Sequence, residues 1–402
     1  MKPQIDESRC TNCNYCKSAI KCPGEENCTA CGACIDACPQ LARSLVKEEK
    51  QPSLITCTID HQTMHIPSQQ TVLQVLESLG FSPTRFPTNE SKEIFTPCRT
   101  GGCYSCAVLI NGQLEPSCIT PVMDGMIIKT DVEKERPKRI VSGFQGHSVG
   151  GVGTPKNLSP RGSFNYLEVA CFSAGCLYRC STCQNWNITY LSRATAKTPL
   201  EVAKKLTMKR KTYQVNRMAI SGGESTLNRK WLIEFVQNLR KLNPDQAARI
   251  HIDTNAAILT PEYIDELIAA GMTDIGPDLK GIHLKTFMEI IQVKNKELAR
   301  QYLETSWNAV KYILDNYPEK VFIGVGIPYN EAFMTFEELS DIGNALVKFD
   351  PKIQVTALDY RPEFRARNLE RPTLEEMLRV KEVLMGTGLK NVICQTPRGH
   401  IK

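Results

Sequence analysis

Hydrophobic and polar positions alternate with two different periods over residues 163–402. Short apolar runs typical of buried strands are separated by longer stretches in which apolar residues recur every three or four positions, as in amphipathic helices. The strand-like runs are "FNYLEVA", "RMAISGG", "ARIHIDTN", "TDIGPDL", "VFIGVGIP" and "IQVTALDY". The helical runs are "TPLEVAKKLTMKR", "NRKWLIEFVQNLRKL", "PEYIDELIAAG", "SWNAVKYILDNY", "FEELSDIGNALVKF" and "TLEEMLRVKEVLMGTG". This order predicts an α/β fold, a partial (β/α)6 barrel of the TIM type, with its chemistry at the carboxyl ends of the strands.

A second pattern covers residues 53–132. "LITCTIDHQTMHIPSQQ" alternates like a pair of hairpin strands, and "TVLQVLESLG" has the spacing of a short helix that stops at a glycine. "AVLINGQLEP" predicts two strands joined by an Asn-Gly turn. Residues 133–162 are rich in Gly, Ser and Pro and are predicted to be a linker or a loop lying over a neighbour. Residues 1–48 form a separate cysteine-rich segment.

The composition excludes several classes of protein. The chain has 402 residues, of which 42% are hydrophobic, and a net charge of +6, so two or three globular domains are expected. No dense run of Lys and Arg indicates a nucleic-acid partner, and no run of apolar residues is long enough to span a membrane. The beginning, "MKPQIDESRC", lacks the apolar segment of a signal peptide. We therefore expect a cytoplasmic protein.

The 18 cysteines decide the class of chemistry. All but Cys57, Cys171 and Cys394 fall into three tight groups. Clustered thiols in a long chain of a reducing compartment indicate metal or iron–sulfur ligation rather than disulfides. Because such clusters are sensitive to oxygen, the pattern also predicts an anaerobic source.

The first group lies in an imperfect repeat, "CTNCNYCKSAIKCP" followed by "CTACGACIDACP". It resembles the two-cluster bacterial ferredoxins, in which the fourth thiol of each run ligates the other cluster. The resemblance implies two [4Fe–4S] clusters, with one ligand set Cys10, Cys13, Cys16 and Cys38 and the other Cys28, Cys31, Cys34 and Cys22. The short gap between the two halves leaves this crossed partition open, and zinc ribbons are the alternative.

The second group lies in "PCRTGGCYSCAVLINGQLEPSC". Gly101 and Gly102 allow a loop to wrap closely around sulfur atoms. The stretch resembles the β-grasp [2Fe–2S] ferredoxin domains fused to succinate dehydrogenase and molybdenum hydroxylase chains. The resemblance implies a [2Fe–2S] centre on four thiols, Cys98, Cys103, Cys106 and Cys118. Cys57, in the first strand, is expected to be a small buried hydrophobe rather than a ligand.

The third group has the order C-x3-C-x2-C, with Cys176, Cys180 and Cys183 in "CFSAGCLYRCSTCQNW". Three thiolates on a [4Fe–4S] cube leave one iron without a protein ligand, much as catalytic zinc sites keep one coordination position free. A molecule that carries both an amine and a carboxylate could chelate this iron. The trio follows the first predicted strand and "SGGE" follows the second. This pair resembles the radical S-adenosylmethionine (SAM) superfamily. "DTN" and "DLKG", after the next two strands, are similar to the branch of glycyl-radical-enzyme activases and AmmeMemoRadiSam proteins.

The resemblance implies roles for residues beyond the cysteines. SAM would chelate the open iron, and one electron would cleave its sulfonium to give methionine and a 5′-deoxyadenosyl radical that abstracts a hydrogen atom from the substrate. Glu224 would accept a hydrogen bond from the SAM ammonium, and Trp186 would stack near the adenine. The other implied SAM contacts are Gly222, Gly223, Thr254, Asn255, Asp278 and Lys280.

Each motif also has a structural alternative. "SGGE" could be a simple turn at a strand end, "DTN" could precede a helix as its N-cap region, and Asp278 with Lys280 could form a surface ion pair. Cys171 is predicted to be a buried structural thiol, and Cys394 is open between burial and a role near substrate. His147 is expected to be a solvated loop residue. An anion-binding role and a solvated basic loop are equal alternatives for Arg361, Arg365 and Arg367.

The combined pattern predicts a radical SAM enzyme in which fused ferredoxin domains relay electrons from an external low-potential donor. The [2Fe–2S] centre could instead accept an electron back from a product radical. We expect a protein or peptide substrate, as for activases, and no nucleic-acid or membrane partner. The alternatives are a small metabolite or cofactor precursor as substrate, or an electron-transfer subunit with a vestigial barrel.

Overall fold

A computed structural model describes residues 1–47, 52–88, 90, 92–160 and 164–402, which form two compact units. The first unit comprises Met1–Val141, Ser173–Leu177 and Asn185–Thr198, and the second comprises Ser142–Phe172, Tyr178–Gln184 and Pro199–Lys402. The predicted domain boundaries at positions 48, 162 and 163 lie outside the described residues. Among the described residues, no helix combines the length and apolar character needed to cross a membrane.

The first unit begins with short elements around the first group of cysteines. These are β1 (Lys2–Ile5), α1 (Tyr15–Ser18), α2 (Ala33–Asp36) and β2 (Arg43–Val46), with β1 and β2 antiparallel. Asn14 and Gly32, which precede the two helices, have φ values of 57° and 80°. This left-handed conformation turns the chain sharply, so that each short helix starts directly beside a pair of cysteines.

The next domain of the first unit matches the predicted pattern. Its elements are β3 (Leu54–Ile59), β4 (Gln62–Pro67), α3 (Val72–Ser78), β5 (Ser82–Thr84), β6 (Glu93–Phe95), β7 (Ala107–Ile110), β8 (Gln113–Pro116) and β9 (Met126–Lys129). Five strands form a sheet in the order β4-β3-β9-β7-β8. A capping box between Thr71 and Gln74 starts α3, whose apolar side is buried. The predicted hairpin, helix and Asn-Gly turn are confirmed.

The second unit is built on a nine-stranded sheet whose strands follow one another in chain order. They are β10 (Val141–His147), β11 (Glu168–Ser173), β12 (Arg217–Gly222), β13 (Arg249–Thr254), β14 (Asp274–Pro277), β15 (Phe322–Tyr329), β16 (Gln354–Asp359), β17 (Asn391–Thr396) and β18 (Gly399–Ile401). Strands β12 to β17 run parallel to one another, and β18 is antiparallel to β17. The six predicted strands are therefore confirmed as β11 to β16. The fold is mixed α/β, and over the described residues the sheet does not close into a barrel.

Helices separate these strands. Besides α4 (Trp186–Thr189) of the first unit, they are α5 (Pro199–Tyr213), α6 (Arg229–Leu242), α7 (Pro261–Ala270), α8 (Leu284–Ile291), α9 (Lys296–Asn316), α10 (Phe336–Phe349) and α11 (Leu374–Gly386). All six predicted helices are present. Helix α9 begins well before the predicted "SWNAVKYILDNY", and α8 was not predicted because its apolar run is short.

The Gly-rich segment predicted to be a linker, residues 133–162, is divided between the units, with its residues up to Val141 in the first and those from Ser142 in the second. Val141–His147 forms strand β10 of the sheet. The residues that follow pack closely on sheet glycines: a Cβ atom at Gly153 would lie 2.6 Å from Cα of Gly276, and one at Gly326 would lie 2.8 Å from a methyl group of Val152. The glycines therefore make room for the backbone of this segment against the sheet.

A buried group of charged residues joins β10 to β13 in the second unit. The Glu168 carboxylate lies 3.0 Å from Nε of Arg217 and 3.4 Å from Nδ1 of His147, so the solvated position predicted for His147 was wrong. His251 is fully buried, with Nε2 3.0 Å from the Asp253 carboxylate. Burial and Arg217 lower the pKa of His251, but Asp253 and Glu168 outweigh them and raise that pKa to about 9.

Candidate iron–sulfur and SAM site

The thiols of the second cysteine group converge within the first unit. The sulfur atoms of Cys98 and Cys103 are 3.1 Å apart. Hydrogen bonds from Cys103 and Cys118 lower the pKa of Cys98, and a hydrogen bond from Cys118 lowers the pKa of Cys106. The loop also directs polar hydrogens at sulfur, since the Thr100 amide lies 3.5 Å from Cys98 Sγ. Four buried thiols with this mutual contact fit the ligand set of a [2Fe–2S] centre.

The first cysteine group contains one set of mutual neighbours. Cys22 and Cys28 interact electrostatically with Cys31 and Cys34, whose pKa values are raised chiefly by burial, that of Cys34 to about 11. These four thiols are one of the two ligand sets implied by the sequence, and thiolates with this spacing fit a [4Fe–4S] cluster.

A basic side chain touches the other half of the repeat. Nε of Arg43 lies 3.0 Å from Cys16 Sγ and also interacts with Cys34. Sequence reasoning missed Arg43, because a single arginine on a short strand carries no spacing signal.

The third cysteine group is divided between the units, with Cys176 in the first and Cys180 and Cys183 in the second. All three are half-buried. Burial raises the pKa of Cys180 to about 12, although the nearby Lys280 ammonium opposes this rise. The Cys183 amide donates to the Cys180 carbonyl at 3.3 Å, which forms a tight turn between the two thiols.

The loop that carries Cys180 is bound to two segments at the carboxyl edge of the second unit's sheet. The Ser181 carbonyl accepts hydrogen bonds from the amides of Arg365 and Ala366, at 2.9 and 3.1 Å, in the loop after β16. The Arg179 amide donates to the Ile291 carbonyl at 2.8 Å, at the end of α8. The backbone next to Cys180 is therefore held beside the loop that follows β16 and the end of α8.

Glu224 joins the motifs at the ends of β12 and β13. Its side chain is fully buried. One carboxylate oxygen accepts from the amide and hydroxyl of Thr226, at 3.0 and 2.7 Å, and from the Thr254 hydroxyl at 2.6 Å. The other accepts from the Asn255 amide at 2.7 Å. Four neutral donors thus fix the orientation of this carboxylate.

These contacts refine the two structural alternatives. Glu224 does cap a 3-10 helix, Ser225–Leu227, as a simple turn would. The N-cap of α7 is Thr260, however, so Thr254 and Asn255 are not the cap of that helix. The Thr254 hydroxyl donates to Glu224 and accepts from the Ala256 amide at 2.9 Å, which gives it a positioning role toward Glu224.

Asp278 and Lys280 form an ion pair, but not on the surface. The Lys280 ammonium is 2.9 Å from the Asp278 carboxylate and 2.6 Å from the Tyr360 hydroxyl, and its side chain is only 8% exposed. Burial lowers the pKa of Lys280, but Asp278 and Tyr360 outweigh it and raise that pKa well above its usual value. Tyr360 was not singled out from the sequence, although its place as the last residue of the sixth predicted strand was a usable signal.

The remaining predicted residues lie in the following places. Gly222 ends β12 with a φ of 110°, a conformation that favours glycine, and Gly223 follows it half-buried. Trp186 starts α4 in the first unit, and its ring lies 4.7 Å from that of Tyr15. Arg365 stacks on Phe364, and Nε of Arg367 donates to the Phe364 carbonyl.

The three isolated cysteines are buried in strands. Cys57 lies in β3, Cys171 in β11 and Cys394 in β17, each no more than 1% exposed. Burial raises the pKa of Cys394 to about 12, so its thiol stays protonated at neutral pH. In the described part of the chain, no group of three or more His, Cys, Asp or Glu is spaced to hold a single metal ion.

Three family models match parts of the chain that contain the second half of the N-terminal cysteine repeat, the second cysteine group and the third cysteine group. Residues 171–339 match the radical SAM superfamily, residues 53–133 match the 2Fe-2S iron-sulfur cluster binding domain, and residues 24–44 match the 4Fe-4S binding domain. Residues 171–339 are a radical SAM domain. It follows ferredoxin domains of both the 4Fe-4S and the 2Fe-2S type, and the radical SAM assignment implies SAM and a [4Fe–4S] cluster as its cofactors. The zinc-ribbon alternative does not apply to the matched half of the N-terminal repeat.

Curated relatives resemble only part of the chain. The NADP-reducing hydrogenase subunit HndD of Solidesulfovibrio fructosivorans is 31% identical over 81 residues, which are 20% of this chain and 14% of that protein. One NADH-quinone oxidoreductase subunit, from Mycobacterium bovis, is 31% identical over 87 residues, 21% of this chain and 10% of that protein. This chain therefore spans a small fraction of the relatives that it matches.

Solved structures match about half of this chain at low sequence identity. SuiB of Streptococcus suis bound to S-adenosylmethionine is 17% identical, with 52% of this chain and 42% of that chain covered and a TM-score of 0.38. HydG, a maturase of the [FeFe]-hydrogenase, is 13% identical, with 55% and 48% covered and a TM-score of 0.40.

Proposed function

We propose that this protein is a radical SAM enzyme that cleaves SAM reductively at the cluster held by Cys176, Cys180 and Cys183. The position of the Cys180 loop carries the proposal. Cys180 interacts electrostatically with Lys280 and Asp278, which follow β14, and with Tyr360, which follows β16. The cysteine loop and the DLK motif, far apart in sequence, therefore share the edge of the sheet where parallel α/β folds hold their active sites.

We assign the SAM contacts by the chemistry of the residues at this edge. The Glu224 carboxylate is the acceptor proposed for the SAM ammonium, since its orientation is already fixed by Thr226, Thr254 and Asn255. Gly222 and Gly223 present backbone to the methionyl part. Lys280 and Asp278 border the cavity for SAM and substrate, with Tyr360 holding the ammonium of Lys280. The bound cofactors would supply a 5′-deoxyadenosyl radical for hydrogen abstraction.

The adenine contact is proposed for Trp186 on the basis of its place after the last cysteine. Its ring packs on that of Tyr15 at a centroid distance of 4.7 Å and an interplanar angle of 72°, which holds the indole in place beside the cysteine loop.

We further propose that the ferredoxin domains carry electrons to the radical SAM cluster. Cys13 and Cys22 are exposed, whereas the four thiols of the [2Fe–2S] site are at most 5% exposed. An external low-potential donor would therefore reach the N-terminal clusters first. The two [4Fe–4S] clusters of this module are proposed with the crossed ligand partition, which the electrostatic interactions of Cys22 and Cys28 with Cys31 and Cys34 support.

For the substrate we propose a protein or peptide, on the similarity of the DTN and DLKG motifs to activases. A small metabolite or cofactor precursor is the second candidate. Two experiments distinguish these candidates. A protein substrate forms a complex that can be isolated with the chain, whereas a metabolite is consumed in extracts depleted of protein.

Release of 5′-deoxyadenosine from the reconstituted, reduced protein tests the reaction class. We expect release with wild type and none with Cys180→Ala, which retains the [2Fe–2S] ligands. A fully loaded wild-type protein that releases none is an electron-transfer subunit instead. Incubation with SAM and anaerobic extract, followed by mass spectrometry of both the protein and the small-molecule fractions, identifies the substrate class.

A further inference from the structure

The [2Fe–2S] loop and the Cys176 segment approach each other backbone to backbone within the first unit. A Cβ atom at Gly175 would lie 2.8 Å from Cβ of Cys103 and 3.2 Å from Cβ of Cys98. Reciprocally, a Cβ atom at Gly102 would lie 2.6 Å from Cβ of Ala174. Real Cβ atoms do not approach their neighbours this closely, so the packing requires glycine on both sides.

Two hydrogen bonds connect the same segments through one intermediate residue. The Ile140 amide donates to the Gly102 carbonyl at 3.1 Å, and the Ala174 amide donates to the Ile140 carbonyl at 2.9 Å. Gly102 precedes the ligand Cys103, and Ala174 is two residues before the ligand Cys176. A short path of covalent and hydrogen bonds therefore joins a ligand of one centre to a ligand of the other.

This contact is shielded from water. Cys98, Cys103, Ala174 and Ile140 are each no more than 1% exposed. Beside it, the buried guanidinium of Arg139 donates to the Ala174 carbonyl at 3.1 Å, which fixes the segment that ends at Cys176. A dry, rigid contact of this kind favours electron exchange, because little solvent must reorganise when charge moves.

The N-terminal module offers a longer second route. Tyr15 lies between two cysteines of that module and packs on Trp186, which is three residues beyond Cys183. The module also contacts the [2Fe–2S] domain, since the Lys21 ammonium, next to Cys22, lies 2.9 Å from the carboxylate of Glu115 on β8.

From these contacts we propose that the [2Fe–2S] centre is the immediate electron donor of the radical SAM cluster, through the Gly102–Gly175 contact. One electron leaves the reduced [2Fe–2S] centre, which is oxidised, and enters the cluster ligated by Cys176, which is reduced; no proton moves. A strong one-electron reductant outside the chain replenishes the electron through the N-terminal clusters. The inference rests on the proposed function only in taking Cys176, Cys180 and Cys183 to hold a cluster.

Magnetic coupling between the two centres tests the inference without turnover. In full-length protein in which each centre is reduced by one electron, both centres are paramagnetic, and a nearby spin accelerates the relaxation of the [2Fe–2S] signal in electron paramagnetic resonance. We expect this signal to saturate at higher microwave power in wild type than in Cys180→Ala, where the partner cluster is lost. Identical saturation in the two proteins overturns the proposal.

Gly175→Ala tests the contact itself, with Gly112→Ala as its matched control. Gly175 and Gly112 have φ values of 89° and 77°, so alanine strains the backbone similarly, but Gly112 has open space around it. We expect Gly175→Ala to lose relaxation enhancement and to slow reoxidation of the [2Fe–2S] centre by the SAM-loaded cluster in stopped-flow absorbance. Gly112→Ala should behave as wild type. If Gly175→Ala does not assemble its clusters, the comparison of wild type with Cys180→Ala still shows whether the two centres are magnetically coupled.

The competing route has its own variant. Tyr15→Leu removes the contact with Trp186 and should leave both the coupling and the reoxidation rate of the [2Fe–2S] centre unchanged. A larger loss of electron delivery in Tyr15→Leu than in Gly175→Ala overturns the proposal in favour of direct transfer from the N-terminal module. Release of 5′-deoxyadenosine without magnetic coupling refutes this inference alone, whereas coupling without release refutes the proposed function alone.

Discussion

Replacing Glu224 with glutamine perturbs the centre of the proposed SAM site with almost no change of shape. The amide oxygen of glutamine can keep the three donors from Thr226 and Thr254, but its NH2 group then faces the Asn255 amide, which now donates to the carboxylate at 2.7 Å. The substitution removes one charge-assisted hydrogen bond, weakens the three others, and places two donors, the glutamine NH2 group and the Asn255 amide, against each other.

The structure sets the size of two separate effects. A hydrogen bond to a charged group contributes about 1.5–3 kcal/mol. Losing the bond from Asn255 and weakening the bonds from Thr226 and Thr254 should therefore lower the free energy of unfolding by about 3 kcal/mol. A lost bond to the SAM ammonium of the same strength corresponds to a roughly 10- to 150-fold increase in the Kd for SAM. The first effect follows from the fold alone, and the second follows only from the proposed role.

Glu338→Gln separates the two effects. Glu338 is another buried carboxylate, which accepts from the amides of Ile282 and His283 and from the Thr286 hydroxyl. Both variants should unfold at lower denaturant concentration, but only Glu224→Gln should bind SAM more weakly in anaerobic titration calorimetry of the reconstituted protein. An unchanged Kd for SAM in Glu224→Gln, or an equal increase in Glu338→Gln, refutes the assignment of Glu224.

Four further outcomes are expected. Cys118→Ser should lose the visible absorbance of the [2Fe–2S] centre and keep the iron of the radical SAM cluster, and retention of the [2Fe–2S] spectrum would contradict the ligand assignment. Arg43→Gln removes a positive charge beside Cys16, which should lower the reduction potential of an N-terminal cluster by tens of millivolts in a redox titration, since a tenfold change in a one-electron equilibrium corresponds to about 59 mV. An unchanged or higher potential would argue against this contact. Tyr360→Phe should reduce 5′-deoxyadenosine release less than Lys280→Met, because it removes one neutral hydrogen bond but leaves the ammonium and Asp278 in place; the reverse order would give Tyr360 the larger role. The pKa of His251 is raised from 6.5 to about 9, so the protonated imidazole stabilises the fold by about 3 kcal/mol below pH 6.5, and this stabilisation is lost as the pH rises through 9. The melting temperature should therefore fall between pH 6.5 and 9 in wild type and stay constant in His251→Gln.

The periodicity of the chain was sufficient to predict most of the helices and strands of the second unit, but not how they pack against one another. Strands β11 to β16 and six helices follow from apolar spacing, since each must bury one side on its neighbours. Strand β10 was missed because "VSGFQGH" has two glycines and little apolar character, and its place in the sheet depends on long-range pairing. Similarly, the packing of Gly153 on Gly276 is set by space in the folded sheet, which no local pattern reports.

For the site, cysteine spacing predicted three groups of thiols, because ligation imposes short and regular separations, and the structure brings together the thiols of the second group. The spacing did not predict the contacts between motifs. The bonds from Thr254 and Asn255 to Glu224 join residues about thirty positions apart, and they show that the DTN motif positions Glu224. Tyr360 and Gly175 were missed for the same reason, since their importance comes from Lys280 and Cys103, which are distant in sequence.

The central claim is that SAM occupies the iron which Cys176, Cys180 and Cys183 leave without a thiolate. Electron–nuclear double resonance of the reduced protein with SAM labelled with ¹⁵N at its amino group measures this directly. We predict a ¹⁵N coupling to the radical SAM cluster in wild type that disappears in Cys180→Ala. A reduced wild-type protein that holds this cluster and binds SAM but shows no ¹⁵N coupling would contradict the account.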